Sequence, residues 1–150
     1  MTSQTLTHLN EAGEAQMVDV GSKPVQRREA TATGRLCCAE ETIKSLQALA
    51  LPKGDVIAVA RIAGIQAAKL TSSLIPLCHQ LPLDRVTIDF IIHSDSIEIS
   101  CTASTSSKTG VEMEALTGVS VAALTLYDMM KAVDKSMLIE RVQVVEKIKS

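Results

Sequence analysis

The spacing of apolar and polar positions changes several times along the chain, and each change predicts an element. Residues 1–27 are polar, with Gly13, Gly21 and Pro24 and little periodicity, which predicts an extended N-terminal arm. REATATGRLCC then alternates as a half-exposed strand does. From Ala39 to Leu51 the apolar positions Ile43, Leu46, Ala48, Leu49 and Ala50 suit an amphipathic helix, stopped by LPKG with Lys53 in the turn. DVIAVARIAGIQAAK opens with Asp55 as an N-cap and is apolar on nearly every side, interrupted by Arg61 and Gln66. Ala60, Gly64 and Ala68 recur at steps of four, a smooth ridge that another backbone can approach closely.

LTSSLIPLCHQLPL begins as a helical turn, but Pro76 and Pro82 break it into a loop that presents His79. RVTIDFIIH and SIEISCTAS are β-branched runs parted by Ser-Asp, the pattern of an antiparallel hairpin. Residues 111–133 make the longest helical segment, and SMLIERVQVVEKIK closes the chain as a strand. This order is the split βαβ plan of a ferredoxin-like α+β sandwich, an antiparallel sheet with helices on one face, formed by a single domain over 28–150. Two of its helices lack a proper polar face, and one small sheet cannot cover both. A homo-oligomer with those helices at or near an interface is therefore expected.

Composition narrows the possible functions. Net charge is −2, with one Phe, one Tyr and no Trp, so the chain has neither the basic face nor the stacking rings that nucleic-acid binding uses. Cys37, Cys38, Cys78 and Cys101 form no Cys-x-x-Cys pair and no dense disulfide spacing, which suits reduced thiols in a cytoplasmic protein. The first twenty residues lack the pattern of a secretory signal, and Asp128 and Lys131 interrupt the long apolar segment, which argues against a membrane span.

The charges on that long segment are the candidate chemistry. Thr109-Gly110-Val111-Glu112 fits a capping box, which would account for Glu112 locally. Glu114 lies roughly 200° further round the helix, so one surface cannot solvate both carboxylates, and at least one must face something less open than water. Asp128 follows Glu114 by about four turns, on nearly the same face but ~21 Å away. Asp128 and Lys131 also fit a routine i, i+3 surface pair. One helix cannot bring both ends to one reacting atom: either they serve two ends of a long ligand, or a second chain returns one cluster beside the other. A zinc set of Cys78, His79, His93 and Cys101 has the wrong spacing, so no metal site is expected.

KTGVEMEALTGVSVAALTLYDMMKAVDK (108–135) and ARIAGIQAAKLTSSLIPLCHQLPL (60–83) strongly resemble the molybdenum cofactor biosynthesis protein C family, the cyclic pyranopterin monophosphate synthases. LTHLN (6–10), MVDV (17–20) and KGDV (53–56) extend the likeness over most of the chain. The resemblance implies a ferredoxin-like subunit in a homohexamer, a trimer of dimers with sites between subunits. It implies a lyase that converts 3′,8-cyclo-7,8-dihydroguanosine triphosphate to cyclic pyranopterin monophosphate and releases pyrophosphate. Lys53, Asp128 and Lys131 match catalytic positions of the family, and His79, Glu112, Met113 and Glu114 match substrate-binding ones. Lys69 and Lys108 are candidates for phosphate contact. The chain departs from the family at Leu70, often Arg, at Gln80, often Pro, and in ending at KIKS where many relatives continue with a glycine-rich tail.

The implied reaction moves protons and phosphoryl charge without net redox change, so no organic cofactor is expected, although Mg2+ can accompany the substrate triphosphate. A lysine acts as a base only if burial or a second cation lowers its pKa, and Lys53 beside Lys131 would supply that effect, with Asp128 opposing it. His79 suits a proton shuttle or a phosphate contact. Glu112 and Glu114 would repel a triphosphate and fit the guanine-derived N–H groups at the other end of the ligand. The competing reading is a non-catalytic oligomeric module that binds a purine nucleotide, and pyrophosphate release separates the two.

Overall fold

The computed structural model describes residues 7–49 and 51–150. Ala50 and the first six residues, including Leu6 of LTHLN and the start of the expected arm, lie outside the described residues. The elements run β1 (Gln26–Cys37), α1 (Glu40–Gln47), α2 (Val56–Lys69), α3 (Thr71–Leu74), β2 (Leu83–Ile92), β3 (Ser96–Ser107), α4 (Glu112–Met130) and β4 (Leu138–Lys149). The four strands form one antiparallel sheet in the order β2-β3-β1-β4. Each outer strand is reached through a helical crossover, which is the expected ferredoxin-like plan.

Alternation decides which side of the sheet is covered. Ala30, Ala32 and Leu36 of β1 and Ile97, Ile99, Cys101 and Ala103 of β3 are buried on the helical side. Small residues let α4 sit low on the sheet: a Cβ at Gly34 would come within 2.7 Å of Val119 Cγ1. The ridge on α2 is used inside the chain. Ala60, Gly64 and Ala68 are buried, and a Cβ at Gly64 would stand 2.8 Å from the Gly118 carbonyl oxygen of α4 and 2.2 Å from Ile88 Cδ1. The hairpin closes as the pattern predicts, with the His93 N–H donating to the Ser96 carbonyl at 2.8 Å across Ser94 and Asp95.

Two local expectations are corrected. The first amphipathic helix ends at Gln47 and does not reach Leu51. Leu49 turns to φ 54° and is 82% exposed, so the chain leaves the helix in the left-handed region and then buries Leu51 instead. The capping box over Thr109–Glu112 does not form either. The helix starts at Glu112, so Val111, which has no polar side-chain atom, holds the N-cap position in place of Thr109, and the Glu112 carboxylate swings back over Gly110 and is taken by Lys147.

Residues 7–25 contain no helix or named strand; one bridge, Leu9 to Ala15, closes a turn in which Asn10 Oδ1 accepts from the Ala12 and Glu14 amides at 2.9 Å each. β1 already includes Gln26, two residues before the 27/28 boundary.

Candidate active site at the two ends of the long helix

α4 carries a polar cluster at each end. At its C-terminal end, Asp128 accepts from Lys131 Nζ through Oδ1 at 2.8 Å and from Lys53 Nζ through Oδ2 at 3.0 Å. The i, i+3 pair is therefore real, but it is one half of a three-residue group. Lys53 arrives from the turn before α2, where Asp55 caps the helix by accepting from the Ala58 amide at 3.0 Å. The two ammonium groups hold the Asp128 carboxyl below its ordinary range, Lys131 first and Lys53 second.

The expected lowering of a lysine pKa is not what the chain shows. Lys131 is raised, by its hydrogen bond and charge attraction to Asp128. The carboxylate lies in direct contact with it, and all three groups stand in water, so attraction outweighs any desolvation. In the chain alone this lysine is held in its protonated form.

At the N-terminal end of α4, Glu112, Met113 and Glu114 line a cleft of about 310 Å³ together with Cys78 and His79 of the α3–β2 loop. The arm forms its other wall. His79 Nε2 lies 2.6 Å from the Val18 carbonyl, which only accepts, so this nitrogen carries the proton in that contact. Lys108 Nζ donates to the Gly21 carbonyl at 2.9 Å. A second cleft, about 190 Å³, meets the first at Gly110 and Glu112 and is lined by Arg28, Lys147 and Lys149.

The two glutamates differ as their angular separation requires. Burial alone would raise Glu112, but the Lys147 ion pair, its own backbone N–H and Arg28 hold it below its ordinary value. Glu114 is 5% exposed, and burial pushes it up to about 7, with the Glu112 charge adding to the rise and its own backbone N–H opposing it. Burial likewise raises the Cys78 thiol, helped by the Glu114 charge.

The structure thus unites Lys53, Asp128 and Lys131 at one end and His79, Glu112, Met113 and Glu114 at the other, ~21 Å apart along the helix. Lys69 joins neither. It is exposed at the end of α2 and lines a separate cleft with Ile65, Leu81 and Arg85. Arg28 and Lys147 were not singled out in the sequence. The signal for them is topological: β1 and β4 are antiparallel neighbours with Arg28 opposite Lys149 and Ala30 opposite Lys147, so the start of one and the end of the other reach the α4 N-terminus together. Among the described residues no group of three metal-ligating side chains occurs, and no helix is long and apolar enough to cross a membrane.

Comparison with known proteins bears on what such an arrangement does. The model of the MoaC family matches residues 17–150. The cyclic pyranopterin monophosphate synthase of Thermomicrobium roseum is 54% identical over 95% of this chain and 87% of its own length. That of Novosphingobium aromaticivorans is 54% identical over 95% of this chain and 90% of its own. The molybdenum cofactor biosynthesis bifunctional protein of Chlorobaculum tepidum is 58% identical over 91% of this chain and 44% of its own length.

Proposed function

Because the chain belongs to the MoaC family, we propose that it catalyses the formation of cyclic pyranopterin monophosphate, the reaction for which its relatives are named. It is an enzyme of molybdenum cofactor biosynthesis that acts on a small molecule. Its substrate is 3′,8-cyclo-7,8-dihydroguanosine triphosphate, and pyrophosphate is the leaving product. The observation that carries this reading is the family match over 17–150, joined to the presence of every expected charged type in two clusters at the ends of α4.

The geometry suggests a division of labour. Lys53 and Lys131 supply positive charge where phosphoryl charge develops, and Lys131, held in its protonated form by Asp128, has a proton to give to the departing group. A lysine base would require substrate to draw Asp128 away first. Glu112 and Glu114 receive the guanine-derived ring, His79 shuttles a proton or touches phosphate, and Met113 supplies apolar contact. Arg28 and Lys147 extend the basic lining toward the phosphates. Lys69 is the weakest member of the set, since it faces another cleft. Any Mg2+ enters with the triphosphate, held by its phosphates.

One helix keeps its two clusters ~21 Å apart, so a complete site takes one cluster from each of two copies. The outward faces of α2 and α4 support this: Val59, Ile62 and Leu124 are 45%, 57% and 57% exposed, an apolar surface that a second copy would cover. A homohexamer built as a trimer of dimers, in the cytoplasm, accommodates such pairing. The test is to supply the cyclised triphosphate and follow pyrophosphate and pterin product together. Wild type should form both, while Lys53→Ala and Lys131→Ala should form little of either. Tight binding with no pyrophosphate from wild type would instead leave a nucleotide-binding module.

A further inference from the structure

Glu112 and Glu114 line one cleft, yet they meet opposite surroundings. Glu112 has the Lys147 ammonium on one oxygen and Arg28 near enough to favour its charge. Glu114 has no such support. Among the described residues no side chain pairs with it or hydrogen-bonds to it, and its Oε2 is buried without a partner. The titratable groups around the cleft are Glu112 on its own helix, Cys78 and His79 from the α3–β2 loop, and His8 and Lys23 from the arm. The Cys78 thiol is raised and so stays neutral, His79 is turned to Val18, and neither His8 nor Lys23 makes an ion pair with Glu114. Only its own backbone N–H favours the charged form, so a carboxylate here keeps most of its desolvation cost, whereas a carboxylic acid avoids that cost and has an O–H to give.

We propose that Glu114 works as a neutral acid that donates its O–H to the ring carbonyl of the guanine-derived substrate, while ionised Glu112 accepts the neighbouring ring N–H groups. A guanine-type ring places a carbonyl acceptor beside N–H donors, and one donor with one acceptor complements that edge. An adenine-type ring has an amino group where the carbonyl stands, so the Glu114 O–H would face a donor and the ring would be rejected. The rise of Glu114 to about 7 agrees with this role and places its titration within reach of experiment. The inference rests on the substrate reading above, and deepens it from two acceptors to a donor and an acceptor.

Calorimetry of cyclic pyranopterin monophosphate binding to the full chain, in two buffers of different ionisation enthalpy, tests it. At pH 8 free Glu114 is mostly ionised, so binding to wild type should take up close to one more proton than binding to Glu114→Gln. At pH 5.5 the two should match. Glu114→Gln keeps a neutral donor and should bind within about threefold of wild type at pH 5.5, with Glu114→Ala at least tenfold weaker. Equal proton uptake by wild type and Glu114→Gln at pH 8 overturns the proposal, as does a Glu114→Gln affinity no better than that of Glu114→Ala. Wild-type pyrophosphate release is measured alongside. Turnover with no proton difference removes this inference alone, whereas neither turnover nor product binding removes the activity and the inference with it.

Discussion

Lys53 and Lys131 are held by the two oxygens of one carboxylate, at 3.0 and 2.8 Å from Asp128 Oδ2 and Oδ1. The contact joins the turn before α2 to the end of α4, places two cations a few ångströms apart, and leaves the group with a net positive charge open to solvent. Such a group is suited to phosphate. It also means that Asp128 controls how readily Lys131 gives up a proton.

Replacing Asp128 with Asn should therefore move the pH dependence in a defined direction. Asp128 raises Lys131, so its removal lets Lys131 fall back toward its ordinary value. If Lys131 acts in its protonated form, the alkaline limb of kcat/KM shifts to lower pH. Lys131→Ala should lower kcat by about a hundredfold or more. The melting temperature should stay within a degree or two for both variants, because the group is exposed. An unmoved alkaline limb would detach Lys131 from the proton-dependent step.

Mixed oligomers should reveal which residues share a site. Lys131→Ala and Glu112→Gln damage opposite ends of α4, so half of the dimers in a random mixture would contain one intact site, restoring about a quarter of wild-type activity if the dimers are symmetric. Lys53→Ala mixed with Asp128→Ala should restore nothing, since both lesions fall in the same cluster. Recovery in the second mixture but not the first would reverse the proposed assignment of ends. Mass spectrometry of the mixed species establishes that hetero-oligomers formed.

The crossing of α2 and α4 makes a prediction about stability. At Gly64 an added methyl would meet the Gly118 carbonyl at 2.8 Å and Ile88 Cδ1 at 2.2 Å. Ile88 can turn its terminal methyl aside, but the carbonyl cannot move without the helix. Gly64→Ala should cost about 2 kcal/mol, despite the better helix propensity of Ala, as a fall in chemical-denaturation midpoint. A neutral or stabilising result would mean that the two helices slide apart easily.

Much of this architecture is legible in the chain because local and global signals agree. Asp55 caps α2 where its side chain can reach the first turn, Ser94-Asp95 turns the hairpin, and the steps of four from Ala60 to Ala68 announce a close helix contact. The unequal burial of Glu112 and Glu114 follows from two residues of helix rotation. What pattern could not supply was competition from elsewhere. Thr109 and Glu112 have the spacing of a capping box, but Lys147, brought in by the β1–β4 register, takes the carboxylate. Leu49 has the phase of a buried helix residue, but the chain reverses there and buries Leu51 instead. Spacing alone likewise paired Asp128 with Lys131 and left open whether Lys53 would meet them.

Glu114 gives stability a pH dependence of unusual sign for a carboxyl group. Its folded value, about 7, lies above its ordinary one, so its contribution is fully present at low pH and is lost as pH rises through the neutral range. Glu114→Gln should therefore be more stable than wild type at pH 8, by on the order of 2 kcal/mol. The difference should shrink toward pH 5. Thermal melts of the two proteins at both pH values check this, and a gap that does not change with pH would place the Glu114 titration elsewhere.

Asp134 shows the opposite sign and holds the other end of the molecule. It is 6% exposed, and its Oδ2 accepts from the Ala39 amide at 2.9 Å and the Thr42 hydroxyl at 2.8 Å, tying the segment after α4 to the start of α1. Its Oδ1 accepts from the Ser136 amide and hydroxyl at 2.8 and 2.7 Å. Burial opposes ionisation, but these donors overcome it and hold the carboxyl well below its ordinary range. Its stabilisation is thus present above the unfolded value and is lost as pH falls toward the folded one. Asp134→Asn keeps the shape but turns an N–H2 toward donors, so it should cost about 3 kcal/mol at pH 7, read from denaturation midpoints. The gap should narrow by pH 3 as wild type loses its own advantage. If it stays constant from pH 7 to pH 3, shape and not charge binds this carboxylate to α1.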